Sequence, residues 1–166
     1  MKFLPTLIGT ASGLCILLHS CVVPPDYSIT PTLEFVSYSK DTMDQGSILN
    51  DSTFLTLYFT DGDGDFGEDI KTNATNITLK DLRTGEVFRN YKAPIIPETG
   101  TSNGIAGTIK IKVYTTCCIF PIDTGLIPCE SDPDYSNTLT FEIFITDRAG
   151  HVSNTLVTPP LTLKCQ

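Results

Sequence analysis

The chain has 166 residues, 40% of them hydrophobic, with 11 Lys and Arg against 19 Asp and Glu and a formal net charge of -8. That length supports one ordinary core, and the negative balance argues against a nucleic acid partner, whose phosphates it would repel. There is no Trp for a sugar-stacking platform, no glycine-rich phosphate loop, no dinucleotide fingerprint and no basic stripe.

From Met1 to Leu18 the chain is apolar behind a single cation, Lys2, and is interrupted by Pro5, Gly9 and Gly13. Such a run is too short and too broken for a good membrane span and reads as a signal peptide over residues 1–20. It closes on Leu17-Leu18-His19-Ser20-Cys21, which resembles the lipobox of bacterial lipoproteins, with a bulky apolar residue three places before the cysteine and a small one just before it. The resemblance implies that Cys21 is lipidated and becomes the new N-terminus, so that the membrane is a partner through an acyl anchor. An ordinary secretory signal with Cys21 in a disulfide is the alternative. It is disfavoured because a Pro-rich tether, Val22-Val23-Pro24-Pro25-Asp26-Tyr27, follows at once. Residues 21–31 are expected to be the lipidated N-terminus and tether. Each buried acyl methylene contributes about 0.8 kcal/mol, so several chains hold durably.

From Thr32 the chain reads as short strands between polar turns. Leu55, Leu57 and Phe59 alternate with Thr56, Tyr58 and Thr60; Ile109, Ile111 and Val113 alternate with Lys110, Lys112 and Tyr114; and Leu139, Phe141, Ile143 and Ile145 alternate with Thr138, Thr140, Glu142 and Thr146. Period two means half-buried strands. Further strands are expected over Leu33 to Tyr38, Ile77 to Leu82, Glu86 to Tyr91 and Leu161 to Cys165, with Pro159-Pro160 confining the last to an edge or a kink. About seven strands without a helix imply two packed antiparallel sheets over residues 32–166.

The first of these strands with a strong pattern runs straight into Thr60-Asp61-Gly62-Asp63-Gly64-Asp65-Phe66-Gly67-Glu68-Asp69. Asp61, Asp63, Asp65 and Asp69 fall at positions one, three, five and nine, the oxygen-ligand spacing of a calcium loop, and the glycines let the backbone curl inward. Asp-Gly repeats also make plain turns. The clustering favours a metal, because two unit charges about 4 Å apart interact by ~4 kcal/mol at an effective dielectric near 20 unless a cation separates them. The loop is no EF-hand: position six is Phe66, position twelve is Thr72 and no helix flanks it. It resembles the calcium hairpins of propeller repeats more closely, with affinity expected in the extracellular range of about 10⁻⁴ to 10⁻³ M. Glu68 and Asp147 are weighed as supplementary ligands, with solvated charge the favoured reading.

Once the signal peptide, with Cys15, is removed and Cys21 is lipidated, Cys117, Cys118, Cys129 and Cys165 remain. An even number in an oxidising compartment favours two disulfides, and a bridge between adjacent Cys117 and Cys118 would be strained. If Cys117 continues the inward row of Ile109, Ile111 and Val113, and Cys165 that of Leu161 and Leu163, the pairing is Cys117 with Cys165 and Cys118 with Cys129. A four-thiolate zinc site lacks any CxxC spacing. The Cys-rich stretch near 115–137 is Pro-rich and acidic, a solvated excursion in preference to a binding loop.

At Asp147-Arg148-Ala149-Gly150-His151-Val152-Ser153 the chain is similar to a terminal hairpin common in immunoglobulin-like domains of bacterial exported proteins, Asp-x-Ala-Gly-Asn-x-Ser, with His151 in place of Asn. Gly150 supplies the positive φ of the turn and Asp147 accepts from its amides. With the lipobox and the acidic loop, the chain resembles small Bacteroidota outer-membrane lipoproteins carrying an immunoglobulin-like domain. The resemblance implies fold and location and no activity. In that group Asp41-Thr42-Met43 and Asp51-Ser52-Thr53 match a short O-glycosylation signal, although turn-forming Asp and Ser is the stronger reading of Thr42 and Ser52. Asp147, His151 and Ser153 make a tempting triad, but all three lie in one turn without a nucleophile elbow or oxyanion glycines.

The sequence therefore predicts an all-β, immunoglobulin-like sandwich of about seven strands behind a lipoprotein signal peptide. The expected role is a non-enzymatic, lipid-anchored binding or structural module of the outer membrane, with a structural calcium and an envelope protein or glycan as partner. An accessory subunit or hydrolase of a surface complex, and a purely structural envelope protein, are the alternatives.

Overall fold

A computed structural model describes residues 26–47, 50–96 and 104–166. The signal peptide, Cys21 and the tether up to Pro25 lie outside the described residues. Ten strands form: β1 Thr32–Tyr38, β2 Thr42–Asp44, β3 Ser52–Asp61, β4 Ile77–Asp81, β5 Glu86–Tyr91, β6 Ile105–Tyr114, β7 Ser136–Leu139, β8 Phe141–Ile145, β9 Leu156–Val157 and β10 Leu161–Lys164. One 3₁₀ turn, Ile122–Thr124, is the sole helical element among the described residues.

The sheets run β1-β3-β6, β5-β4-β8-β9 and β2-β10-β7. Three pairs of segments are interrupted strands that change sheet. β1 and β2 are separated by Ser39 to Asp41, β7 and β8 by Thr140 alone, and β9 and β10 by Thr158-Pro159-Pro160. Counted this way the ten segments are seven strands, in the order of an antiparallel, immunoglobulin-type β-sandwich. One pairing departs from the antiparallel expectation: β2 lies parallel to β10. Nor is the last strand an edge, for β10 sits between β2 and β7 and the two prolines precede it, so no ladder bond is lost to them.

Alternation decides which side chains meet. In β3, Thr53, Leu55, Leu57, Phe59 and Asp61 point inward, and in β8 Phe141, Ile143 and Ile145 do the same. These rows join Met43, Leu79, Leu139, Leu161 and Leu163 in one apolar core between the layers. Fully burying such a side chain contributes about 1.5–3 kcal/mol. β3 is the central staff of its sheet, paired along its whole length with β6 from Ser52↔Tyr114 to Asp61↔Ile105.

The disulfides correct the expected pairing. Cys117 bonds Cys129 and Cys118 bonds Cys165, with Cα separations of 4.6 and 5.8 Å. Extending the inward row of β6 to Cys117 fails because strand pairing ends at Tyr114. Beyond it the backbone no longer alternates: Thr115 is buried, then Cys118 and Phe120, while Cys117 is half-exposed. Cys118 therefore reaches the core beside Cys165, and Cys117 turns outward to close the loop. That loop is fastened at its base. Arg83 donates to the Cys117 carbonyl at 3.1 Å and to Asn137 Oδ1 at 3.0 Å, Ile119 N donates to Asn137 Oδ1 at 2.6 Å, and Gln45 Nε2 donates to the Glu130 carbonyl at 2.6 Å.

Candidate metal centre

Two strand ends build the site. Asp61 is the last residue of β3 and continues the inward row of Leu55, Leu57 and Phe59, so its carboxylate is carried into the protein. Asp147 continues the inward row of Phe141, Ile143 and Ile145 beyond β8, held there by the bridge between Thr146 and Val152, and is likewise buried. The loop after β3 then curls over Asp61. Gly64 takes φ +72°, a conformation an L side chain disfavours, and the Phe66 amide donates to Asp61 Oδ2 at 2.8 Å.

Carboxylate oxygens of Asp61, Asp63, Asp65 and Asp147 consequently lie within 4.8 Å of one another. Oxygens on opposite sides of a calcium ion stand about 4.6–5.2 Å apart, twice the usual bond of about 2.3–2.6 Å, so the cluster has the size of one calcium shell. Acidic clusters without an ion are common on protein surfaces, but this one holds buried oxygens with nothing to bond. Asp61 is wholly buried, and its Oδ1 and the Oδ1 of Asp65 have no hydrogen-bond partner. Leaving a buried acceptor unsatisfied costs about 1–3 kcal/mol, more for a charged one. A hard cation bonded to both oxygens removes that cost.

The electrostatics point the same way. Burial first, then Asp63 and Asp65, push the Asp61 carboxyl up to about 6, against the opposing bond from the Phe66 amide. Burial, Asp147 and Asp63 also raise Asp65, while the Ala149 amide and Arg148 pull it down. Each shift reflects first the burial of a carboxylate and second the like charges gathered beside it.

Asp69, expected as the ninth-position ligand, is not part of the cluster. It is exposed, and its Oδ1 accepts the Lys71 amide at 2.9 Å in a turn of its own. Phe66 is the reason. Its side chain plunges into the core against Phe59, ring centroids 4.9 Å apart, and turns the chain away before Asp69. Glu68 likewise stays outside the cluster; its amide bonds the Ala93 carbonyl at 2.9 Å. Asp147 takes the fourth place instead, correcting its reading as solvated charge. The period-two parity of β8 was the signal that would have found it.

The terminal hairpin forms as its motif implies. Gly150 has φ +93°, the His151 amide donates to Asp147 Oδ1 at 2.7 Å and His151 Nδ1 lies 2.8 Å from Asp147 Oδ2. That bond to Asp147 raises the imidazole pKa against the effect of burial. Asp63, Asp147 and His151 also come within ligand distance of one another, so His151 borders the centre. Ser153 does not join them: its hydroxyl donates to the Asn154 carbonyl and accepts the Ile145 amide. No triad assembles. Thr42 and Ser52 lie in β2 and β3, and Asp51 accepts the Ser52 and Asp44 amides, the strand-flanking role expected of it.

Several segments converge on the loop. Gly62 N donates to the Ser28 carbonyl at 2.8 Å, tying the N-terminal segment to it, and Arg148 donates to the Gly67 carbonyl at 3.1 Å. The centre thus joins the two layers of the sandwich at the end where the N-terminal segment enters. No protein family, curated protein or solved structure matches this chain.

Proposed function

We propose that the protein is a non-enzymatic, lipid-anchored module of the bacterial envelope whose sandwich is locked by one structural calcium ion. The observation that carries the calcium reading is the convergence of four carboxylates from two strand ends with a fully buried, unpartnered oxygen on Asp61. Asp61, Asp63, Asp65 and Asp147 would hold the ion, whose chemistry is to neutralise and bridge them. Oxygen ligands without thiolates suit calcium, and the exposed position of Asp63 leaves one side for water. Anchoring rests on the lipobox resemblance at Cys21, and the binding or structural role on a two-layer β fold whose central strand carries the acidic cluster at its end.

The test is calcium titration of the chain carrying Cys21→Ser, following melting temperature against a chelated control. A rise with calcium that Asp61→Asn and Asp147→Asn both remove supports the centre; an unchanged melting temperature rejects it. Fractionation checks the anchor separately, since the wild-type chain should sediment with membranes and the Cys21→Ser chain should not.

A further inference from the structure

The N-terminal segment enters the sandwich between the two halves of the acidic centre. On one side is the loop after β3. Gly62, between Asp61 and Asp63, donates its amide to the Ser28 carbonyl at 2.8 Å. A methyl group on Gly62 would stand 2.3 Å from the Tyr27 carbonyl oxygen and 2.6 Å from that of Ser28, so the segment lies directly on the glycine. Tyr27 also meets the Tyr58 side chain on β3. On the other side is the hairpin after β8. Asn154 Oδ1 accepts the Leu33 amide at 2.7 Å and Asn154 Nδ2 donates to the Leu33 carbonyl at 3.0 Å, pairing with β1 as a neighbouring strand would. Between these two grips Pro31 is buried, while Ser28, Ile29 and Thr30 are exposed.

Each grip belongs to a different half of the centre. Gly62 is flanked by two of the clustered carboxylates, and Asn154 closes the hairpin in which His151 bonds Asp147. The halves meet directly where Arg148 donates to the Gly67 carbonyl at 3.1 Å and the Ala149 amide bonds Asp65. Against those bonds stand four carboxylates with oxygens within 4.8 Å of one another, the Oδ1 atoms of Asp61 and Asp65 buried and unpartnered. Like charges at that spacing press the loop and the hairpin apart, and a cation bonded to both draws them together.

We propose, resting on the calcium reading above, that the ion closes a clamp on the N-terminal segment: calcium joins loop to hairpin, and residues 27–33 are held between the Gly62 and Asn154 grips. The arrangement described here is the closed one. Its consequence lies in the tether. Ser28 is seven residues beyond Cys21 and Leu33 is twelve. An extended chain spans about 24 Å over the first interval and about 40 Å over the second at ~3.4 Å per residue. With an acyl anchor at Cys21, opening the Gly62 grip therefore lengthens the reach of the sandwich from the bilayer by up to about 17 Å. Calcium thus sets how closely the domain is held to its membrane.

Residue-resolved hydrogen exchange on the Cys21→Ser chain, with saturating calcium and with chelator, tests the clamp. The Phe66 amide, bonded to Asp61, reports the centre itself; the Thr30 amide, bonded to Ser28 Oγ, and the Leu33 amide, bonded to Asn154, report the segment. Calcium should slow all three at least five-fold. Slowing at Phe66 with no change at Thr30 and Leu33 overturns the clamp and leaves the calcium centre standing, whereas no slowing at any of them, with an unchanged melting temperature, overturns both. Coupling is reciprocal. Tyr27→Gly and Asn154→Ala keep all four carboxylates, and each should raise the calcium concentration at half-saturation at least three-fold. Tyr27→Gly lies ahead of the first strand and keeps this arm readable if Asn154→Ala fails to fold. Half-saturation unchanged in Tyr27→Gly overturns the proposal.

Discussion

The amide of Phe66 donates to Asp61 Oδ2 across 2.8 Å while the Phe66 ring packs on Phe59 inside the core. One residue thus orients a buried carboxylate of the acidic cluster with its backbone and anchors the loop with its side chain. Geometry at the acidic cluster is therefore set by core packing and does not depend on the loop alone.

The four-carboxylate centre is distinguishable from the loop motif by two substitutions. With calcium at about a hundred times the dissociation constant, a folded-state site adds about 2.7 kcal/mol. In a domain of this size that raises the melting temperature by about 5–10 °C. Asp147→Asn should remove most of the rise although it lies far from the loop in sequence, and Asp69→Asn should leave it intact. Melting curves with and without chelator decide between them.

The two disulfides should differ in weight. Cys118–Cys165 spans 47 residues and Cys117–Cys129 spans 12. In the chain-entropy account, closing these loops contributes about 4 and about 3 kcal/mol respectively. Chemical denaturation of the paired alanine variants should rank them in that order, and non-reducing peptide mapping should recover Cys118 with Cys165.

Arg83 ties the disulfide loop to β4. Its guanidinium meets Asp81 Oδ2 at 2.6 Å and also holds Asn137 and the Cys117 carbonyl, with both charged groups largely buried. Arg83→Met leaves the Asp81 carboxylate with fewer donors and should cost about 2–4 kcal/mol. Urea unfolding measures it. Calcium binding at the opposite end of β3 should stay unchanged.

Asp51 joins β2 to β3. Burial disfavours its charge, but Lys40 and the amides of Asp44 and Ser52 outweigh that and hold its carboxyl below the usual range. A depressed carboxylate contributes stability above its unfolded pKa, lost as pH falls through the folded value. Asp51→Asn should cost about 1–2 kcal/mol at neutral pH, and the gap to wild type should close in acid below about pH 4. Denaturation of both proteins across that window supplies the check.

Alternation of apolar and polar residues was enough to read β3, β6 and β8, the all-β class and the seven-strand count, because strand burial has a period of two and needs only neighbours in sequence. The same parity, carried past the end of β8, would have placed Asp147 inward; carried past the end of β6 it misassigned Cys117, because strand pairing had stopped at Tyr114. The acidic motif named three of the four clustered carboxylates, since Asp61, Asp63 and Asp65 lie within five residues. The meeting of Asp147 with the acidic loop, the disulfide partners and the parallel seat of β2 on β10 all join residues distant in the chain. Only packing of the two layers brings such residues to bonding distance, and no local pattern records it.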